Sequence, residues 1–228
     1  MVVKRNMTKP IVIIIEGAVG AGKTTLFEKL REELEGTNTC FLREPQFNEV
    51  TLLHKTYNPL IEVYQHPEDS ANFVCTQTHI TNVLSKHIIE EWKNAPLTLM
   101  DRWILSCEYF IKLREKRGLI TNYVRDFLLN QVRQEQEKFH ILLTGTRVLT
   151  CLLKTSPKQC AKNILKRGRG EEISNSLEFW EKFNEEFYHM IESCGPKFDI
   201  VGDYDIVYNS IKEVCREQLS PKNLKPAT

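Results

Sequence analysis

What this chain has little of narrows its role first. It has no long apolar run: nothing approaches the ~20 consecutive apolar residues of a membrane-spanning helix, so no membrane partner is expected. Neither charge dominates. Lys and Arg together number 31 and Asp and Glu 30, leaving a net charge of +1. The basic excess that marks nucleic-acid binders is missing, and no nucleic-acid partner is expected. Seven cysteines stand at positions 40, 75, 107, 151, 160, 194 and 215, with no C-x-x-C pair. That spacing excludes a zinc ribbon, and an odd count argues against a closed disulfide framework. Free thiols in a reducing compartment are the simplest reading. There is no repeat and no low-complexity linker, and MVVKRNMTKP lacks the apolar stretch of a secretory signal. A chain of 228 residues can build one sizeable α/β core. One domain is expected over 1–228, with 1–9 and 220–228 as flexible ends.

What is present is a phosphate cradle. Ile11-Val12-Ile13-Ile14-Ile15 is a β-branched run. It leads into Gly17, Ala18, Val19, Gly20, Ala21, Gly22, Lys23, Thr24 and Thr25, and LFEKLREEL follows with helical character. Strand, glycine-rich turn and helix start form the context in which G-x-x-x-x-G-K-[ST] means a P-loop. Glycines let backbone N–H groups wrap a polyphosphate, and the helix N-terminus adds a positive dipole end. Lys23 can reach the β- and γ-phosphates, and the Thr24 hydroxyl can ligate Mg²⁺. The chain is therefore expected to bind a nucleoside triphosphate. It lacks the N-K-x-D guanine-reading motif, and Asp101-Arg102 is not the D-x-x-G of a GTP-dependent switch.

Five apolar runs read as buried strands: Ile11–Ile15, Cys40–Leu42, Leu97–Met100, Leu149–Lys154 and Phe198–Val201. With helices between them they predict a parallel sheet covered on both faces. His140–Leu143 is also strand-like, but there is room for only one strand there. Leu149–Lys154 is favoured because it leads into Ser156-Pro157, an N-cap followed by proline at the first helical position. Helices are expected from about Ser70 to Trp92, with Phe73, Ile80, Leu84, Ile88 and Ile89 on the apolar face, from Arg102 to Arg117, and from Asn122 to Lys138. A last amphipathic helix carries Leu177, Trp180, Phe183, Phe187 and Ile191 toward the core. Asn175 and Glu178 are its expected capping pair, and it stops at Gly195-Pro196.

In a doubly wound sheet, groups that act on a bound ligand sit just past the strands' carboxyl ends. Glu44 stands past the second strand, and Asp101 and Arg102 end the third. Asp101 can hold Mg²⁺, directly or through water, alone or with Thr24. Arg102 can grip phosphoryl oxygens in a bidentate manner, and Glu44 can take the proton from an attacking hydroxyl. The bland alternative is a structural ion pair. Lys166–Glu172, KRGRGEE, is too glycine-rich and charged to prolong a helix. Arg167 and Arg169 suit it to close over phosphates as a lid spanning about 166–174.

These motifs together resemble the deoxynucleoside kinase family, which includes deoxycytidine, deoxyguanosine and mitochondrial thymidine kinases. The likeness spans nearly the whole chain and rests on IEGAVGAGKTT, Glu44-Pro45, YQHP at Tyr64–Pro67, TQT around Gln77, DRW at Asp101–Trp103, and TSPKQCAKNILKRGRGEE at Thr155–Glu172. The resemblance implies a P-loop kinase fold, a five-stranded parallel sheet flanked by helices with a short arginine-rich lid. It implies ATP-dependent phosphorylation of a deoxynucleoside 5′-hydroxyl, with Mg²⁺. Glu44 matches the general base, Asp101 and Arg102 the acidic–arginine pair, and Arg167 and Arg169 the lid arginines. Glu172 and Tyr64 match the groups that hold the sugar 3′-hydroxyl. Gln77 matches the residue that reads the base, and Asp203-Tyr204 the pair near adenine. A homodimer through the two long helices after the second and third strands is also implied.

Where deoxycytidine kinases carry an arginine–aspartate pair near the base, this chain has Leu84 and Cys107. An apolar pair leaves room for the 5-methyl of thymine, so thymidine is favoured, with deoxycytidine also accepted. The family's stacking phenylalanine aligns with Ile111, next to Phe110. Its second stacking phenylalanine aligns with Thr76, a tryptophan position is Glu49, and one lid-region arginine is Asn163. Asp-Arg at 101–102 resembles the herpesvirus thymidine kinases, so a divergent viral relative is one expectation. The cytoplasm, a host's if the source is viral, is expected ahead of the mitochondrion. The alternative is a thymidylate kinase, which shares the P-loop, Arg43-Glu44-Pro45 and a D-R-aromatic triplet. That reaction needs an extra cation for the monophosphate, which Arg43 would supply.

Overall fold

A computed structural model describes residues 9–45, 50–52, 55–57, 63, 66, 68–168, 175–194 and 197–220. The chain runs β1 (Ile11–Gly17), α1 (Lys23–Glu33), β2 (Thr39–Leu42), β3 (Val50–Leu52), β4 (Lys55–Tyr57) and α2 (Ser70–Glu91). It continues through β5 (Leu97–Asp101), α3 (Leu105–Lys116), α4 (Asn122–Leu142), β6 (Arg147–Leu153), α5 (Pro157–Arg167), α6 (Leu177–Cys194), β7 (Ile200–Gly202) and α7 (Tyr204–Gln218). Five strands form one sheet in the order β2-β5-β1-β6-β7, and every pairing in it is parallel. This is the expected α/β P-loop architecture.

All seven residues of β1 are buried, as a central parallel strand requires when helices cover both faces. Its side chains alternate between two cores. Ile11, Ile13 and Ile15 join Leu26, Phe27 and Leu30 of α1, Phe187 and Ile191 of α6, and Val207 and Ile211 of α7. Val12 and Ile14 join Phe73, Leu84 and Ile88 of α2, Cys107 and Ile111 of α3, and Leu128, Val132 and Phe139 of α4. Because the strands are parallel, the segments that leave β1, β2, β5 and β6 emerge at one edge, and the candidate site lies there.

The five expected strands are all present, with shifted ends. His140–Leu143 is not a strand. Through Leu142 it is the last turn of α4, and a turn containing Gly145 at φ 81 separates it from β6. That strand starts earlier than expected because the Arg147 N–H donates to Pro10 O at 2.8 Å and extends the register with β1. Phe198 precedes β7 instead of opening it. The cap of α6 is Ser176: its Oγ accepts from Phe179 N at 3.1 Å, a role assigned by sequence to Asn175. Leu177 and Ile89, expected in the core, are 37% and 46% exposed. The antiparallel pair β3–β4 was not anticipated, since three-residue strands are too short for alternation to register. The expected stop at Gly195-Pro196 lies outside the described residues. Among those residues, no helix is long and apolar enough to cross a membrane.

Candidate active site

The cradle is built by close approach. Gly20 has φ 79, and a Cβ there would meet the Cys160 carbonyl oxygen and, at 2.8 Å, Ile164 Cγ1 of α5. Only glycine combines that conformation with that contact. Gly22, at φ 101, occupies the N-cap of α1, which leaves the first N–H groups of the helix facing the loop's concave side. Elements after β6 tie the loop down from outside. Thr155 Oγ1 donates to Ala21 O at 2.8 Å, and Asn163 Nδ2 donates to Gly20 O at 2.8 Å. Lys23 is 6% exposed. Its ammonium folds back onto the loop, donating to Gly17 O at 3.0 Å and Ala18 O at 2.9 Å.

Facing this loop are the tips of β2 and β5, which are adjacent strands. Glu44 Oε1 lies 2.8 Å from Arg102 Nε, with Arg102 93% shielded from solvent by its 7% exposure. Arg102 Nη1 is buried and has no hydrogen-bond partner. Its backbone is left-handed, at φ 72, the one such non-glycine among the described residues, a geometry tolerated mainly where surroundings hold it. Beside it, Thr24 Oγ1 donates to Asp101 Oδ2 at 2.9 Å. Asp101 Oδ1 is buried without a partner. One hydroxyl and one carboxylate with a spare buried oxygen fit a magnesium ion that arrives with a polyphosphate, because such ions take only one or two protein oxygens and complete their shell with phosphate and water. No cluster of three metal-ligating side chains exists among the described residues.

The charges are interlocked. Burial, then the Arg102 charge, lowers the Lys23 pKa from 10.5 to about 8, against the pull of Glu44, Asp101 and Glu16. Burial, then the Glu44 charge, holds Asp101 above the usual carboxylate range. Burial opposes the Arg102 charge, but Glu44, Glu16 and Asp101 outweigh it and its pKa is raised. The partnerless Asp101 Oδ1 favours an incoming cation, and the unused guanidinium nitrogen favours an anion.

Glu16 is the residue that sequence reasoning missed. It is 2% exposed. Its Oε1 accepts from Trp103 N at 2.8 Å and its Oε2 from Ser106 Oγ at 2.6 Å. Burial pushes its carboxyl up, with Arg102, Ser106, the Trp103 N–H and Lys23 opposing. The signal was available: a carboxylate ending a wholly apolar strand one residue before the glycine loop needs buried partners.

A second group continues the line away from the loop. Gln77 is 3% exposed. Burial raises the Cys107 pKa to about 11, while hydrogen bonds from Thr81 and Gln77 lower it; α2 and α3 therefore meet at that thiol. Leu84 and Ile111 are fully buried in the core on this side. The Phe110 ring lies 5.7 Å from the Arg102 guanidinium and packs on Phe183 and Phe187. Other predicted residues stand apart. Asp203 caps α7 by accepting from Ile206 N at 3.0 Å. Tyr204 stacks on Tyr208, next to Lys29 of α1. Arg167 is exposed at the end of α5, which closes on Gly168 at φ 65. Tyr64, Arg169 and Glu172 lie outside the described residues.

This geometry belongs to an enzyme that moves a phosphoryl group, and the family profile agrees with it. The chain belongs to the deoxynucleoside kinase family, whose profile, "Deoxynucleoside kinase", matches residues 13–219. It phosphorylates nucleosides with an ATP-type phosphate donor. Among solved structures it is similar to deoxyadenosine kinase from M. mycoides. With dCTP bound, that structure aligns at a TM-score of 0.63 and 20% identity over 90% of this chain and 97% of the other. With dATP bound the TM-score is 0.59, at 20% identity over 91% and 98%. At these identities the likeness concerns the fold. A thymidylate kinase of Mycoplasma pneumoniae is 25% identical over 197 residues, covering 81% of this chain and 83% of that protein.

Proposed function

We propose that the chain transfers the γ-phosphoryl group of ATP to the 5′-hydroxyl of thymidine, and of deoxycytidine less efficiently, with Mg²⁺ held by Thr24 and Asp101. The observation that carries this reading is the Glu44–Arg102 ion pair at 2.8 Å beside the Thr24–Asp101 hydrogen bond. On this reading Glu44 is the base, Arg102 the phosphate-gripping cation, and Thr24 with Asp101 the metal-binding pair. When ATP enters, the Lys23 ammonium exchanges the Gly17 and Ala18 carbonyls for phosphate oxygens. Arg102 turns its unused Nη1 to the transferring group, where charge develops. Glu44, anchored through Oε1, accepts the 5′-hydroxyl proton as the 5′-oxygen attacks the γ-phosphorus and the bond to the β–γ bridging oxygen breaks, releasing ADP. Magnesium supplies charge neutralisation on the phosphates. Gln77 presents one donor and one acceptor to the base edge. The Leu84 and Cys107 side chains beside it carry no charge near neutral pH, which suits the thymine methyl.

The remaining assignments follow the family pattern. Arg167 and Arg169 close over the phosphates, Tyr64 and Glu172 hold the 3′-hydroxyl, Phe110 or Ile111 lies against the base, and Asp203-Tyr204 borders the adenine. One domain carries all of this. A homodimer is supported by exposed apolar side chains on the long helices: Tyr123 at 83%, Ile141 at 76%, Phe127 at 48% and Ile89 at 46%.

The second reading is phosphorylation of dTMP, favoured by the similarity to a thymidylate kinase. Its extra cation would be Arg43, but Arg43 Nε pairs with Glu28 of α1 at 3.3 Å. A steady-state comparison of thymidine, deoxycytidine, deoxyadenosine, deoxyguanosine and dTMP decides. The highest kcat/KM on thymidine is expected. Turnover of dTMP alone overturns the nucleoside reading, and a preference for deoxyadenosine overturns the base assignment while keeping the reaction.

A further inference from the structure

The backbone on both sides of Arg102 is fastened to two consecutive residues of β1. Arg102 N donates to Ile15 O at 3.0 Å, and Trp103 N donates to Glu16 Oε1 at 2.8 Å. Between those bonds sits the left-handed Arg102, φ 72. A non-glycine residue relaxes out of that region unless its surroundings over-determine it. The second oxygen of Glu16 takes the Ser106 hydroxyl at 2.6 Å, and Ser106 N donates to Trp103 O at 3.0 Å. One carboxylate thus joins β1, the residue after Arg102 and the first turn of α3. Glu16, Arg102 and Ser106 are 2%, 7% and 1% exposed, so water does not offer these groups other partners. Burying a carboxylate is costly, and this one is kept where both its oxygens receive donors.

We propose that Glu16 is a positioning residue for phosphoryl transfer: it holds Arg102 in its left-handed conformation, so that the guanidinium meets Glu44 and the transferring group. The proposal rests on the role given to Arg102 above. Glu16 touches neither substrate. It acts by reach, through two hydrogen bonds, and its charge is secondary. That separates two conservative variants. In Glu16→Gln the amide oxygen still accepts from Trp103 N–H, and the amide N–H₂ donates to Ser106 Oγ, which accepts as readily as it donates. In Glu16→Asp the charge stays, but the carboxylate is drawn back by one methylene and cannot serve both donors.

The test is a kinetic cycle on the full chain: wild type, Glu16→Gln, Glu16→Asp, Arg102→Ala and the double variant Glu16→Asp/Arg102→Ala. Glu16→Asp is expected to lower kcat about ten- to a hundred-fold with the nucleoside KM nearly unchanged, as for outer-sphere positioning groups. Glu16→Gln is expected to stay within about threefold of wild type, within the scatter of a conserved hydrogen-bond pattern. Placed on Arg102→Ala, Glu16→Asp should add less than about twofold, because residues that act as one unit are not additive. A Glu16→Asp enzyme as active as wild type overturns the proposal. So does Glu16→Gln losing more than Glu16→Asp, which would assign the effect to charge, or a double variant showing the full product of both losses. If Arg102→Ala alone leaves kcat unchanged, the role of Arg102 fails first, and the failure belongs to the reading above.

Discussion

Alkaline pH should stabilise the nucleotide-free protein through one residue, Lys23. The residue is 6% exposed, and its ammonium is satisfied by two carbonyls of its own loop. Burial and then Arg102 lower its pKa from 10.5 to about 8. At 1.36 kcal/mol per unit, a fall of that size corresponds to about 3 kcal/mol of destabilisation. Between the two values the unfolded chain binds more protons than the folded one at this site. The penalty is therefore complete below pH 8 and is relieved as the pH climbs toward 10.5. About 2 kcal/mol of it should be recovered between pH 7.5 and 10. Buried Cys107, Cys151, Cys160 and Cys215, raised to about 11, 12, 11 and 12, act in the opposite sense over that window. The readout is therefore the difference between wild type and Lys23→Met, in which those thiols cancel. Urea unfolding of both proteins across that range, without nucleotide, should show wild type gaining about 2 kcal/mol on the variant. Parallel curves would refute the reasoning. ATP replaces carbonyl dipoles with anionic oxygens, so its binding near pH 8.5 should take up protons, visible as a buffer dependence of the binding enthalpy.

The other predictions concern turnover, the loop and the metal. Glu44→Gln should lower kcat by ~10²–10⁴ if Glu44 is the base, with ATP affinity by calorimetry nearly intact; unchanged turnover removes it from that role. Gly20→Ala should destabilise the fold by about 2–4 kcal/mol in urea, since the left-handed backbone and the crowded carbonyl act together; an unchanged unfolding midpoint would show that the loop yields freely. Asp101→Asn should raise the Mg²⁺ concentration for half-maximal activity by about tenfold or more, and an unaltered magnesium titration would detach Asp101 from the metal.

The sheet was legible because its signal is strong. Five apolar runs bounded by polar turns leave few alternatives, and the glycine loop anchors the first. The Glu44–Arg102 pair was legible for a topological reason: both residues stand just past strand ends, and a parallel sheet gathers strand ends at one edge. The ends of elements were harder to read. His140–Leu143 has the composition of a strand, and only the Gly145 turn and the pairing of Arg147 after Pro10 show where the strand begins. Ser176 and Asn175 are equally good caps on paper; backbone direction chose Ser176. For Glu16 the sequence showed only that a carboxylate in an apolar strand needs buried partners; which ones, a main-chain N–H and a serine 90 residues away, is decided by the tertiary fold. Leu84, Cys107 and Gln77 lie on two helices whose contact depends on packing, so their closeness needed coordinates.

The account stands most directly on where the phosphates and the 5′-oxygen lie. A crystal structure of the protein with a non-hydrolysable ATP analogue, Mg²⁺ and thymidine would measure it. The predicted result is a γ-phosphate between Lys23 and Arg102, with the thymidine 5′-oxygen about 3 Å from a Glu44 oxygen. Phosphates outside the loop, or a Glu44 carboxylate turned away from the nucleoside, would contradict it.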